Sequence, residues 1–234
     1  LSDSTTTLEE KISSLEDGST IIFTAHGHDE KLDQIAKSKD LIIYDTTCPK
    51  VLNNLNLIKK EISEGHQVIY IGHKNHPEAL AALSINKDVI FYDMKMGINY
   101  SLIKDSSPLV INQTTVNILN IQSNYEDIKK HVPNARVLDE ICNTTRLRQE
   151  AVKNITDADL FIIVGDNNSS NSTRLYEIAK SSHPESLVIL ISNLSELDKE
   201  ILNGINHVAV ASGASTPKKA IDEINIIMQQ IATT

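Results

Sequence analysis

The sequence predicts an α/β fold with mostly parallel sheets, and two observations carry that prediction. Short β-branched apolar runs alternate along the chain with longer amphipathic stretches, and nearly every run ends in a small polar loop from which the next stretch opens. A strand that is followed by a helix and then by another strand pairs in parallel with its predecessor, so repetition of this unit builds layered α/β structure.

The strand candidates are Thr20–Thr24, Leu41–Tyr44, Gln67–Ile71, Val89–Tyr92, Leu109–Asn112, Leu160–Val164, Leu187–Ile191 and His207–Ala211. Each has the length and the Val/Ile content of a strand covered on both faces. Helical patterns lie between them. Val51–Glu64 repeats its apolar residues at Leu52, Leu55, Ile58 and Ile62, and the stretches Val116–Lys130, Thr173–Lys180 and Pro217–Ile231 read the same way.

Composition narrows the function classes. The 234 residues suffice for one large or two ordinary domains, and with aromatics at 4% and no Trp the cores must rest on Ile, Leu, Val and Ala. The net charge of −9 argues against nucleic acid as a partner, because a phosphate backbone needs a basic face. A small anion is not excluded, since neutral donors and helix N-termini can hold one. The apolar runs are too short to span a bilayer, and no targeting segment is expected. Two cysteines, Cys48 and Cys142, do not make a disulfide scaffold; taken alone they read equally as two buried thiols.

The strand ends are more specific. Ala25-His26-Gly27, Thr46-Thr47-Cys48-Pro49, His73–Glu78, Gln113-Thr114-Thr115, Asn167–Ser172 and Ser212–Pro217 each follow a strand candidate or precede a helix candidate; with Ile141–Thr145, a segment of the same character, they contain almost no Lys or Arg. Open α/β sheets bind ligands outside the carboxyl ends of their strands. Helix capping explains any single Ser, Thr or Asn here equally well. Capping does not explain the two cysteines, the histidines, or four consecutive donors in Ser169–Ser172. No Gly-x-Gly-x-x-Gly, Walker loop, Cys-x-x-Cys or Gly-x-Ser-x-Gly occurs, which removes the common nucleotide, zinc and hydrolase readings.

The ordered set Ala25-His26-Gly27, Asp45–Pro49, Ile71-Gly72-His73 with His76-Pro77-Glu78, Gln113-Thr114-Thr115, Ile141-Cys142, Arg148-Gln149-Glu150-Ala151, Ser169–Ser172 and Gly213-Ala214-Ser215 resembles the LytB family of iron–sulfur reductases over essentially the whole chain. The resemblance implies a trefoil of three small α/β domains around a central 4Fe–4S cluster, held by one cysteine from each domain. It implies Cys48 and Cys142 as two of the cluster ligands, thiolates being what such clusters take. Cys48 precedes Pro49 and a helix, which puts its sulfur at the positive end of the helix dipole.

The resemblance further implies that the substrate is an allylic diphosphate, gripped by His26, His76, Ser169, Ser170, Asn171 and Ser215, with Thr114 positioning its hydroxyl and Glu78 donating the proton. The implied reaction is reductive dehydroxylation to isopentenyl and dimethylallyl diphosphate, the last step of the non-mevalonate isoprenoid pathway. The implied electron donor is a small ferredoxin- or flavodoxin-type protein, and the implied location is the cytoplasm or a plastid. Read without the resemblance, His26 is a satisfied core histidine and Glu78 complements a helix dipole; His28 and His73 are taken as structural.

The domain boundaries expected are 1–48 for part of a first domain, 49–138 for a second and 139–234 for a third. The chain opens on Leu1, and the resemblance implies an upstream segment with the third cluster cysteine, which is absent from this sequence. Two readings compete with an active reductase: a relative that keeps the diphosphate-binding fold without a stable cluster, and an unrelated phospho-sugar binder.

Overall fold

The computed structural model describes residues 7–231; residues 1–6 of the expected first domain and 232–234 of the expected third lie outside the described residues. The strands that periodicity predicts are all present, each within one residue at its ends: β1 (Thr20–Phe23), β2 (Ile42–Asp45), β3 (Val68–Gly72), β4 (Val89–Asp93), β5 (Leu109–Asn112), β7 (Leu160–Val164), β8 (Leu187–Ile191) and β9 (Val208–Ser212). The expected strands at Gln67 and His207 start one residue later. The amide of each of these residues is taken by a carboxylate, Asp105 for Gln67 and Asp159 for His207, rather than by a neighbouring strand. A further short strand, β6 (Arg136–Leu138), lacks the apolar run that marks the others.

Every strand pairing is parallel. The strands form three sheets, of order β1-β2, β4-β3-β5-β6 and β8-β7-β9. The helices between them are α1 (Leu8–Ser13), α2 (Glu30–Ser38), α3 (Pro49–Ser63), α4 (Pro77–Ser84), α5 (Ile118–His131), α6 (Asn143–Asn154), α7 (Ser170–Ser182) and α8 (Lys218–Ile231). The expected α/β class with mostly parallel sheets therefore holds.

The chain forms two compact units. One runs up to Thr114 and includes Ser123–Glu140; the other comprises Thr115–Gln122 and the chain from Ile141 onward. In the first unit the four-stranded sheet packs Val68, Tyr70, Val89, Leu109 and Ile111 against Ile58 of α3 and Ala79 and Ala82 of α4. A smaller core of Ile12, Phe23, Leu32, Ala36 and Leu41 supports β1 and β2. In the second unit β7 is buried along its whole length, with Phe161 and Ile163 facing Val152, Leu175 and Ile178. Its other face, Leu160, Ile162 and Val164, meets Ile191, Leu197 and Ile224. Aliphatic side chains dominate these cores, as the scarcity of aromatics requires.

The two larger sheets share one topological feature. In β4-β3-β5-β6 the chain leaves β3 to one side through β4 and returns to its other side as β5; in β8-β7-β9 it does the same around β7. At such a switch point the loops diverge and leave a crevice at the carboxyl ends of the strands. In the second unit a buried side chain secures the entry to α5. Gln149, 0% exposed, accepts from the Ile118 amide at 2.9 Å and donates to the Val116 carbonyl at 3.0 Å.

Gln149→Leu keeps the volume and removes both bonds. Each buried backbone group left unpaired costs about 1–3 kcal/mol, so the denaturation midpoint should fall while the denaturant slope stays unchanged. An unchanged midpoint would mean that this amide bridge is not needed.

Candidate active site

The switch point between β3 and β5 carries a buried carboxylic acid. β3 ends at Gly72, where a side chain would press on Gln113 Oε1 at 3.0 Å, so the strand end and the β5 loop lie close together. Gln113 Oε1 accepts from the His73 amide at 3.1 Å and ties the two loops. After His73 the backbone turns through Asn75, which has a φ of 67°, and α4 begins. His76 caps α4, its Nδ1 accepting from the Glu78 amide at 3.2 Å, and Pro77 takes the first-turn position that needs no donor. An Nδ1 that accepts leaves Nε2 as the ring nitrogen that carries the proton. The ring of His76 meets that of His26 edge to face, with centroids 5.1 Å apart.

His26 reaches this place through Gly27. The φ of Gly27 is 76°, and a Cβ there would sit 3.3–3.4 Å from Leu55, Ala81 and Val51. Only glycine takes this conformation at such close quarters without strain. Burial holds the His26 imidazole below its ordinary pKa, which favours its uncharged form. His28 stacks on Phe23, centroids 3.6 Å apart, and pairs with Asp33, which fits the structural role expected for it.

Glu78 is 1% exposed. Its Oε1 accepts from the Thr114 amide at 2.9 Å and from the Tyr70 hydroxyl at 3.1 Å, and its Oε2 pairs with the Thr114 hydroxyl at 2.9 Å. Burial pushes its pKa up to about 7, against the opposing pull of these hydrogen bonds. No cationic side chain bonds to it among the described residues. The structure thus brings His26, His76, Glu78 and Thr114 together within one unit. Tyr70 is the member that periodicity did not mark. The available signal was an aromatic with a polar tip inside a fully buried strand, which has to find a partner.

The second unit places the remaining donors at the switch point between β7 and β9. Ser169 caps α7, its hydroxyl 3.5 Å from the Ser172 amide, and Ser170 Oγ lies 3.1 Å from Thr115 Oγ1. Asn171 is 7% exposed, and neither its Oδ1 nor its Nδ2 has a partner. A buried amide with both ends unpaired is costly unless a ligand completes it. Ser215 lies exposed in the loop after β9.

Cys48, in the first unit, and Cys142, in the second, occupy matching local positions. Both are free and half-buried, and both are N-caps, of α3 and α6, with φ/ψ of −57°/133° and −57°/131°. Neither side chain forms a capping bond, so the sulfurs are not engaged in holding their helices. Unengaged thiols at helix N-termini suit thiolate ligation, the chemistry that an iron–sulfur centre asks of each ligand. The sequence contains these two cysteines. Among the described residues no group of three or more His, Cys, Asp or Glu could hold a metal ion, and no helix is long and apolar enough to cross a membrane.

The fold and these groups belong to an α/β enzyme. A family model described as LytB protein matches residues 3–229, and the chain belongs to that family. Curated relatives named 4-hydroxy-3-methylbut-2-enyl diphosphate reductase include those of Bacillus thuringiensis, 41% identical over 92% of this chain and 68% of the relative, and Bacillus cytotoxicus, 41% identical over 93% and 70%. Among solved structures, the E-1-hydroxy-2-methyl-but-2-enyl-4-diphosphate reductase of Plasmodium falciparum superposes with a TM-score of 0.83 at 26% identity, covering 93% of this chain and 70% of that one. A structure described as (E)-4-hydroxy-3-methyl-but-2-enyl diphosphate reductase, the terminal enzyme of the non-mevalonate pathway, is 30% identical with a TM-score of 0.61 over 93% and 78%.

The raised pKa of Glu78 makes a stability prediction. The folded state binds the proton more tightly than the unfolded chain, so the stability this contributes is present below the ordinary carboxylate value of 4.5 and is lost as pH rises through about 7. Glu78→Gln keeps the shape without the charge. Its stability relative to the parent should rise by roughly 3 kcal/mol between about pH 4 and about pH 8. A relative stability independent of pH would place the Glu78 pKa in the ordinary carboxylate range.

Proposed function

We propose that this chain reduces 4-hydroxy-3-methylbut-2-enyl diphosphate to isopentenyl and dimethylallyl diphosphate, as the final enzyme of the non-mevalonate pathway, with Glu78 as the proton source. The observation that carries the proposal is the placement of Glu78. It is a carboxylic acid 1% exposed, with a pKa pushed up to about 7, whose Oε2 pairs with the hydroxyl of Thr114. An acid poised near working pH is what general acid catalysis requires.

The reaction takes two electrons and two protons: the carbon–oxygen bond breaks, one proton leaves with the oxygen as water, and the other goes to carbon. An iron–sulfur cluster held in part by Cys48 and Cys142 would supply the electrons and an electron-poor iron for the hydroxyl, with a ferredoxin- or flavodoxin-type protein as the reductant. The protein's own part is proton delivery and anion binding. Thr114 Oγ1 can accept from protonated Glu78 while donating onward, so it hands a proton to the departing hydroxyl without opening Glu78 to water. Tyr70 and the Thr114 amide hold the carboxyl in place as it changes charge.

The diphosphate falls to His26, His76, Ser169, Ser170, Asn171 and Ser215. The neutral ring of His26, the Nε2–H of His76 and the unpaired amide of Asn171 are donors that need no positive charge, which suits an acidic protein. The division into domains 1–48, 49–138 and 139–234 belongs to the same proposal, supported by one sheet lying in each range.

Two measurements test the proposal. In the enzyme with its cluster assembled, Glu78→Gln should cut turnover by about 10²–10⁴-fold while leaving iron content and substrate affinity near those of the parent. Near-normal turnover would reduce Glu78 to a helix-start residue. Separately, Asn171→Ala or Ser215→Ala should weaken substrate binding by one to two orders of magnitude, since a neutral donor to a charged group is worth about 1.5–3 kcal/mol. Unchanged affinity in both would leave these residues as caps and loop formers.

A further inference from the structure

Ser172 closes the Ser169–Ser172 run and has no part in the site described above. It is 0% exposed, and its hydroxyl has no hydrogen-bond partner. A buried hydroxyl left unpaired costs free energy that an alanine would not, so its presence calls for another reason. The reason is spatial. Gly165 follows β7 and Gly213 follows β9, two strands that pair directly. A Cβ on Gly165 would lie 2.1 Å from Ser172 Oγ, and one on Gly213 would lie 2.3 Å from it. Neither glycine has a positive φ, so space, and not backbone conformation, excludes a side chain at both. The Ser172 hydroxyl fills the gap that the two glycines leave.

The same gap governs the loop after β9. The Gly213 amide donates to the Val164 carbonyl at 3.1 Å, and Thr216 Oγ1 donates to that carbonyl at 2.8 Å. Ser215 lies between these two anchors on the end of β7. Asn171 adjoins Ser172 in the first turn of α7. The filling of one small space between the ends of β7 and β9 therefore sets where Asn171 stands relative to Ser215.

We infer that Ser172 is a positioning residue: its hydroxyl is the spacer, wedged against Gly165 and Gly213, that holds Asn171 and Ser215 at the separation a diphosphate needs. The inference rests on the reading of Asn171 and Ser215 as diphosphate donors and names what fixes their geometry.

The structure prescribes an asymmetric test. Ser172→Ala empties the gap and Gly213→Ala overfills it, so each should weaken binding of inorganic pyrophosphate about tenfold or more, with the melting temperature little changed. Together they should cancel. With Oγ gone, a Cβ at 213 meets Thr216 Oγ1 at 3.3 Å, a snug contact that a shift of a few tenths of an ångström relieves, and the Ser172 Cβ at an ordinary 3.5 Å, so the new methyl occupies the vacated space. Gly165→Ala should not be rescued in this way, because the Ser172 Cβ itself stands 2.8 Å from the added atom.

Calorimetry with pyrophosphate on the whole protein, beside KM and kcat in the cluster-loaded enzyme, reads the result. The expected outcome is restored affinity and KM in Ser172→Ala/Gly213→Ala and none in Ser172→Ala/Gly165→Ala. Additive losses in the first pair, with Asn171→Ala and Ser215→Ala still weakening pyrophosphate, would overturn the spacer alone. Unchanged pyrophosphate binding in Asn171→Ala and Ser215→Ala would overturn the anion-site reading and the spacer with it. Should Gly165→Ala fail to fold, the Ser172 and Gly213 cycle still decides.

Discussion

Parallel pairing is the constraint on which the rest of the structure depends. A strand can join its predecessor in parallel only if the chain returns by a crossover, so strand ends and helix starts collect at one edge of each sheet. Both larger sheets add a reversal of strand order, around β3 in one and β7 in the other. Glu78 and Thr114 sit at the first reversal; Asn171, Ser172 and Ser215 sit at the second. In each case a glycine at the strand end, Gly72 or Gly165, lets a side chain of the neighbouring loop or helix come close. The chemistry is gathered by topology and then fixed by local packing.

The electrostatic character follows from the same edges. The net charge is −9, and the strand-end loops offer hydroxyls, amides and imidazoles with almost no Lys or Arg. Neutral donors leave Glu78 without a cation to hold it ionised. Burial therefore prevails over its hydrogen bonds, and the group keeps its proton near neutral pH. A lysine beside Glu78 would pull its pKa down again. Strand-end loops almost free of Lys and Arg and a carboxylic acid with a raised pKa are two consequences of one composition.

Much of this was legible in the sequence. Apolar β-branched runs located the strands to within a residue; β3, β5 and β7 are buried along their whole length as such runs imply, whereas β1 and β2 carry the same runs with Ile22, Ile42 and Tyr44 exposed. β6 escaped because Arg136 and Leu138 face outward on an edge strand and break the run. The loops declared themselves by residue type, and the family resemblance singled out His26, His76, Glu78 and Thr114, which the structure places together in one unit, and assigned expected roles to them and to the two cysteines. Tyr70 and Ser172 were not legible in this way. One is a strand residue whose hydroxyl meets Glu78 eight positions later. The other resembles any serine in a helix start, and its significance appears only when Gly165 and Gly213, distant in sequence, are seen on either side of it.

The central claim is that a buried, neutral Glu78 supplies the proton. Infrared difference spectroscopy across a pH titration, with Glu78→Gln as the reference, observes that carboxyl directly. The account predicts a protonated-carboxyl band that belongs to Glu78 and disappears with a midpoint near pH 7. A midpoint in the ordinary carboxylate range, about 4–5, would contradict it.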